Sequence, residues 1–217
     1  MNKKDRAFLS GLSDFPEVLA WFDTQPSLHA AWATCQRGDY MLWFAAKAGV
    51  RRQALALAAC ACAREVLCYV PGDMPEPGIA LDMAELRALG EGEIAEDDVR
   101  AAETAAETAA ETAVGPEARS AAHAAACAAA CVAVNAAAAC VAVNAARAAH
   151  AAAVACCVAA ACANAACANA ACANAACATT TDAAYAASLC SSAEIVRAHI
   201  PWSVVARAVK QPSDKGA

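Results

Sequence analysis

Leu55, Leu57, Ala58, Cys62, Val66 and Leu67 share one apolar face of a helix predicted over residues 51–69, with Arg51, Arg52, Arg64 and Glu65 left to solvent. The same reading places a helix at about 28–36, with Ser27 as its N-cap, and another from Tyr40 to Ala48. Asp39 is the expected cap of the second and Gly49 its expected stop. The Pro- and Gly-rich segment from Pro71 to Gly78 reads as a loop, followed by a short helix from Ile79 to Leu89. A further helix is predicted from Glu96 to Ala113, ended by Gly115-Pro116, and a last core helix from Asp182 to Ile200, ended by Pro201-Trp202. Thr179 to Asp182 reads as a break before that helix. Residues 1–26 are a lead-in whose Phe15, Leu19, Trp21 and Phe22 are expected to pack onto the body.

Between Ala121 and Ala178 the pattern changes. Of these 58 residues 35 are Ala and 9 are Cys, with Arg147 as the one charged side chain and no Gly or Pro. Ala loses no side-chain entropy in a helix, so a long run without a breaker favours helix. One unbroken helix over 117–178 would be roughly 93 Å long, far beyond the radius of gyration of ~17 Å of a compact chain of this size. Breaks are therefore expected near Asn135, Asn144 and Asn164. Two short repeats complicate the picture. Cys131-Val-Ala-Val-Asn135 recurs nine residues on at Cys140-Val-Ala-Val-Asn144, and Cys157, Cys162, Cys167, Cys172 and Cys177 recur every five. A five-residue period also suits a square β-solenoid. Extending that frame backwards puts Arg147 or His150 inside, and the pentad is too short for several coils. The fold class expected is all-α, a multi-helix bundle with an Ala/Cys-rich helical region, the β-solenoid being the minor alternative for the pentad.

The expected division is an N-terminal helical domain over 1–116, an Ala/Cys-rich region with the last core helix over 117–202, and a flexible tail over 203–217. Large side chains cluster in 15–89 and 185–202. Because a buried methyl contributes only ~0.8 kcal/mol against roughly 1.5–3 for a Leu or Phe, those segments should hold the main core. The formal charge of −6 argues against a general nucleic-acid binder. No signal peptide is evident, and the Ala-rich stretch lacks the Leu, Ile and Phe that drive membrane insertion. A cytoplasmic protein with no membrane partner is expected, its fourteen Cys reduced and packed as small hydrophobes.

Three runs carry a resemblance. They are Trp32-Ala-Thr-Cys-Gln-Arg-Gly-Asp-Tyr-Met-Leu-Trp-Phe-Ala-Ala-Lys-Ala-Gly49, Arg51-Arg-Gln-Ala-Leu-Ala-Leu-Ala-Ala-Cys-Ala-Cys-Ala-Arg64 and Glu194-Ile-Val-Arg-Ala-His-Ile-Pro201. They resemble the Ala-rich immunity proteins of bacterial polymorphic toxin systems. The similarity covers roughly 27–113 and 182–202 by motif and the middle by composition. It implies an intracellular, non-enzymatic, all-helical protein that binds and blocks a toxin domain. Relatives commonly carry Tyr and Asp in the Ala tract where this chain reads Cys and Asn, changes of one base each, so Cys-Ala-Asn-Ala-Ala reads as a drifted Tyr-Ala-Asp-Ala-Ala.

Candidate chemistry is sparse, and no catalytic residues are assigned. Residues 73–117 carry thirteen carboxylates against Arg87 and Arg100. Within them Glu96, Asp97, Asp98, Glu103, Glu107 and Glu111 form the candidate partner-binding face, suited to steering a basic protein. The alternative reading is thiol-based storage of Cu(I) or Zn at His123, Cys127 and Cys131, spaced i, i+4, i+8 along one helix stripe. The bland reading of that stripe is small-residue packing, since structural zinc sites favour close Cys pairs. Accordingly no cofactor is expected. A third reading is a structural protein that self-assembles into homo-oligomers through its Ala/Cys helices. None of the four His lies in a recognisable catalytic motif, and Trp32, Trp43, Trp202 and Tyr40 read as core.

Overall fold

A computed structural model describes residues 1–12, 15–91, 93–131, 144–145, 147–152, 154–156 and 173–210. The fold is an all-α multi-helix bundle, and no strand occurs among the described residues. The helices are α1 (Lys3–Ser10), α2 (Pro16–Asp23), α3 (Leu28–Thr34), α4 (Gly38–Ala48), α5 (Arg52–Arg64), α6 (Glu76–Leu89), α7 (Glu96–Thr112) and α8 (Pro116–Ala130). Helical residues within 144–156, here α9, come next. Two more follow, α10 (Ala173–His199) and α11 (Trp202–Lys210).

Local signals fix several boundaries. The Ser27 side chain accepts from the Ala30 N–H at 3.0 Å and starts α3. Gly49 closes α4 with a φ of 89°, a left-handed conformation that a side chain would strain. Other boundaries depart from the expectations. The lead-in forms α1 and α2. Asp39 lies inside the first turn of α4 rather than capping it. The helix expected over 51–69 stops at Arg64 and continues as a 3-10 turn over Leu67–Tyr69. α6 begins at Glu76, inside the segment read as a loop, with Pro77 occupying its first turn, where a missing N–H costs nothing. α10 runs through Thr179–Asp182 without a break, since Ala on both sides sustains the helix. Residues 203–210, expected within a flexible tail, join Trp202 in α11, which packs on α3 and α4. The repeat over 132–143 and the pentad from 157 to 172, with the breaks at Asn135 and Asn164, fall outside the described residues. Asn144 is the first described residue of α9, and Cys177 is helical within α10.

Two kinds of packing meet in one core. In the first, aromatic rings from α1, α2 and α3 surround Phe44 of α4, and Trp202 of α11 lies beyond them against Trp32. Phe22 stacks on Phe44 at 4.4 Å between centroids, and Phe8 and Trp32 approach it at 5.9 and 6.4 Å. Trp32 and Trp43 are buried as core residues, while Trp202 and Tyr40 are half-buried at its edge. In the second, α5, α6, α7 and α8 pack against one another, mainly through Ala and Cys. The Ala-Ala-Glu-Thr repeat of α7 turns Ala102, Ala106 and Ala110 inward. Each Thr hydroxyl of that repeat donates to the carbonyl four residues back, at 2.9–3.1 Å. α8 is buried nearly all round, with only Arg119 and His123 exposed after its first residue.

α10 joins the two regions by lying on α4 and α5. Its apolar stripe is Leu189, Ala193 and Val196, continued by Ile200 just past its end. A Cβ on Gly38 would sit 2.5 Å from Ser192 Cβ and 2.7 Å from the Ser192 carbonyl carbon, so only glycine admits this approach. The Cys62 thiol faces the Ser192 carbonyl at 3.9 Å, and Arg197 donates to the Cys35 carbonyl at 2.7 Å.

Candidate functional site

The short link from α3 to α4, residues 35–37, and the first turn of α4 seat a polar cluster. Arg37 donates through Nε and Nη2 to both carboxylate oxygens of Asp39, at 2.9 and 2.6 Å, and lies 3.9 Å over the Tyr40 ring. The Tyr40 N–H also donates to Asp39 Oδ1 at 3.0 Å. From α9, His150 Nδ1 stands 3.7 Å from Asp39 Oδ2 and 3.1 Å from the Tyr185 hydroxyl of α10. Burial alone would raise the Asp39 pKa, but the hydrogen bonds from Arg37 and His150 outweigh it and hold the carboxyl below its ordinary value. Asp39 is thus a buried, ionised acid that ties α4 to α9, and His150 carries the link on to Tyr185 of α10.

Two hollows share His150. The first, of about 330 Å³, is walled by Phe15, Tyr40 and Trp43 and carries Arg37, Asp39 and Arg147. The second, of about 450 Å³ and more open, lies between α7, α8 and α9, with Glu107, Glu111, Arg119 and His123 around it.

The structure divides the six predicted partner-binding carboxylates by duty. Glu96 pairs with Arg100 at 3.0 Å, with Arg87 at 3.9 Å beyond it. Asp98 Oδ2 accepts from the Ala95 N–H at 3.3 Å, capping α7. Asp97 is exposed. Glu103 is half-buried, and burial together with the neighbouring Glu107 raises its pKa. Glu107 and Glu111 are exposed and line the second hollow. The wider acidic segment is less unbalanced than its own sequence suggests. Arg64 reaches over from α5 to Glu85 at 2.7 and 2.8 Å and to Asp82 at 2.6 Å.

Of the three predicted metal ligands, two come together. His123 Nε2 lies 3.5 Å from Cys127 Sγ, whereas the Cys131 thiol turns to the Cys127 carbonyl at 3.4 Å. Burial raises Cys127 to about 11 and Cys131 well above the ordinary thiol value, so both are neutral thiols at physiological pH. Among the described residues no group of three or more His, Cys, Asp or Glu side chains is arranged to hold a metal ion. The thiols of Cys35, Cys60 and Cys62 are likewise buried, the first raised to about 11 and the other two to about 12.

Sequence reasoning missed Arg37, Asp39, His150 and Tyr185 as a group. The Arg-x-Asp spacing before a helix was the available signal; nothing local connects it to a histidine more than a hundred residues later. No protein-family model, curated protein or solved structure matches this chain. Among the described residues no helix is long and apolar enough to cross a membrane.

Proposed function

We propose that this protein is a non-enzymatic, cytoplasmic interaction protein, an immunity factor that binds and neutralises a basic toxin domain. The observation that carries the reading is the outer face of α7. Glu107 and Glu111 stand exposed on the edge of a 450 Å³ hollow and make no ion pair among the described residues. Glu96 and Asp98, by contrast, are already engaged. Like charges four residues apart mildly destabilise a helix, and a basic partner relieves that repulsion. An acidic face beside a hollow supplies both electrostatic steering and a place for a side chain to anchor. The resemblance of the Trp32–Gly49 run to the Ala-rich immunity proteins points the same way.

The test is to express the domains encoded beside this gene in its host, to ask whether one is toxic and whether this chain rescues growth from it, and to measure association rates. Changing Glu103, Glu107 and Glu111 together to Gln should leave the helical circular-dichroism spectrum intact and slow association at low salt. Association unchanged at low salt would remove α7 from the binding face, and absence of rescue by the parent chain would remove the immunity reading.

A further inference from the structure

α6 carries two apolar faces. The first, with Ala80, Leu81, Ala84 and Ala88, packs against α5, α7 and α8. The second is Ile79, Met83, Leu86 and Leu89, at spacing i, i+4, i+7 and i+10, on the opposite side of the same helix. That side is open: Ile79 is 48% exposed, Leu86 40% and Leu89 55%, with Met83 half-buried between them. Val114 is the one other large apolar side chain left exposed among the described residues, so exposed apolar surface is gathered on this stripe rather than scattered. A contiguous stripe marks an interaction surface, whereas apolar residues exposed singly do not. It is straight and roughly 15 Å long, the shape that the apolar side of another helix matches.

The charges around the stripe select its occupant. Along the flank, Asp82 and Glu85 are met by Arg64 of α5. At the ends the carboxylates are not met. Asp73 and Glu76 stand at its start, Glu91 and Glu93 just past its end, and none of the four makes an ion pair among the described residues. Glu91 and Glu93 are exposed beside the C-terminus of α6, where the helix dipole is already negative, so their charge does not stabilise the fold there. Arg87 in the last turn is committed to the Ile94 carbonyl at 2.6 Å. A second copy of the chain is a poor fit, because laid parallel or antiparallel it sets acidic ends against acidic ends. We propose that the outer stripe of α6 docks an amphipathic helix of a partner protein, its apolar side on Ile79, Met83, Leu86 and Leu89 and its Lys or Arg side chains on the acidic ends. This stands apart from the reading of α7, since it requires neither the hollow beside Glu107 nor a toxic partner.

The experiment is fluorescence-anisotropy titration of synthetic peptides with the full chain. The first peptide has Leu at i, i+4 and i+7 along its middle and Lys at both ends. The second has the same composition with its Leu scattered, and the third has Glu in place of Lys. The first should bind saturably and the other two at least about tenfold more weakly. Ile79 and Leu86 are exposed, so Ile79→Gln with Leu86→Gln should keep the parent's melting curve and lose about tenfold or more in affinity for the first peptide. Glu91→Gln with Glu93→Gln should weaken binding about threefold or more and flatten its dependence on salt. Should the Ile79 and Leu86 pair fail to fold, the Glu91 and Glu93 pair decides. Changing Glu103, Glu107 and Glu111 of α7 to Gln should leave peptide binding close to the parent's, which separates this outcome from that of the immunity reading. The proposal fails if the first peptide does not saturate, if either control peptide matches it, or if a folded α6 variant binds as the parent does. It fails equally if the α7 variant loses as much affinity as the α6 variants, or if sedimentation shows a dimer that the Ile79 and Leu86 pair dissolves, the stripe then being filled by a second copy.

Discussion

The aromatic cluster around Phe44 and the Ala-built packing of α5 to α8 are buried to the same degree but held by different means. Phe22, Phe44, Ala121 and Ala125 are each 0% exposed. In the first region each side chain removes a large apolar area from water, and the helices stand apart to make room for rings. In the second each residue contributes little more than a methyl, and stability comes from helix propensity and from backbones that lie close together. Equal burial therefore does not mean equal sensitivity. One region is vulnerable to losing bulk, the other to gaining it.

The comparison can be broken most directly at Phe44. Phe44→Ala should cost about 3–5 kcal/mol in chemical denaturation, because three rings lose their common neighbour and a cavity remains. A loss below about 1 kcal/mol would mean that the aromatic cluster collapses freely and is not the stabilising centre. Next in size is the opposite change on the other side. Ala125→Leu should destabilise by about 1–3 kcal/mol, although it adds apolar surface, because no space exists for the extra carbons among α5 to α8. If the same assay shows a gain, the Ala packing is looser than a close-packed interior.

The smallest effect concerns charge at the outer edge of the Ala region. Glu103 has a folded-state pKa raised above its unfolded value by burial and by Glu107. Its stabilising contribution is therefore present below about pH 4.3, the unfolded value, and is lost as pH rises through the folded value. At neutral pH, Glu103→Gln should raise the melting temperature slightly, and the gain should vanish in acid. A fall at neutral pH would show that the carboxylate is favourably paired. Asp39 has the reverse sign. Its lowered pKa supplies stability above about 3.9 that disappears as pH falls through the folded value, so the α4–α9–α10 junction should loosen in acid.

What could be read from the chain was what is written locally. Ser27 and Gly49 announce helix ends because a cap needs only its own neighbours. The inward Ala of α7 follow from a four-residue repeat meeting a 3.6-residue turn. Thr179–Asp182 misled because three Thr and an Asp resemble a cap, yet flanking Ala carry the helix through them. α11 was hidden by the polar residues that follow it. Its Val204, Val205, Ala208 and Val209 nevertheless form an apolar face that packs on the core. The candidate site was half legible. Glu107 and Glu111 stand where their spacing suggested, but the His150 partner of Asp39 comes from a later helix, and the Asp82 and Glu85 charges are met by an Arg outside the acidic segment. Distances of that kind are set by packing and leave no mark within a sequence window.

The contact between Gly38 and Ser192 also orders events during synthesis. The seat for α10 leaves the ribosome with the N-terminal helices, and at ~5–20 residues per second its occupant follows only about 8–30 s later. During that interval the groove beside Gly38 is an open apolar surface on a nascent chain. Helix α10 thus acts as a late latch: the aromatic half can assemble early, but it is sealed only once α10 has emerged.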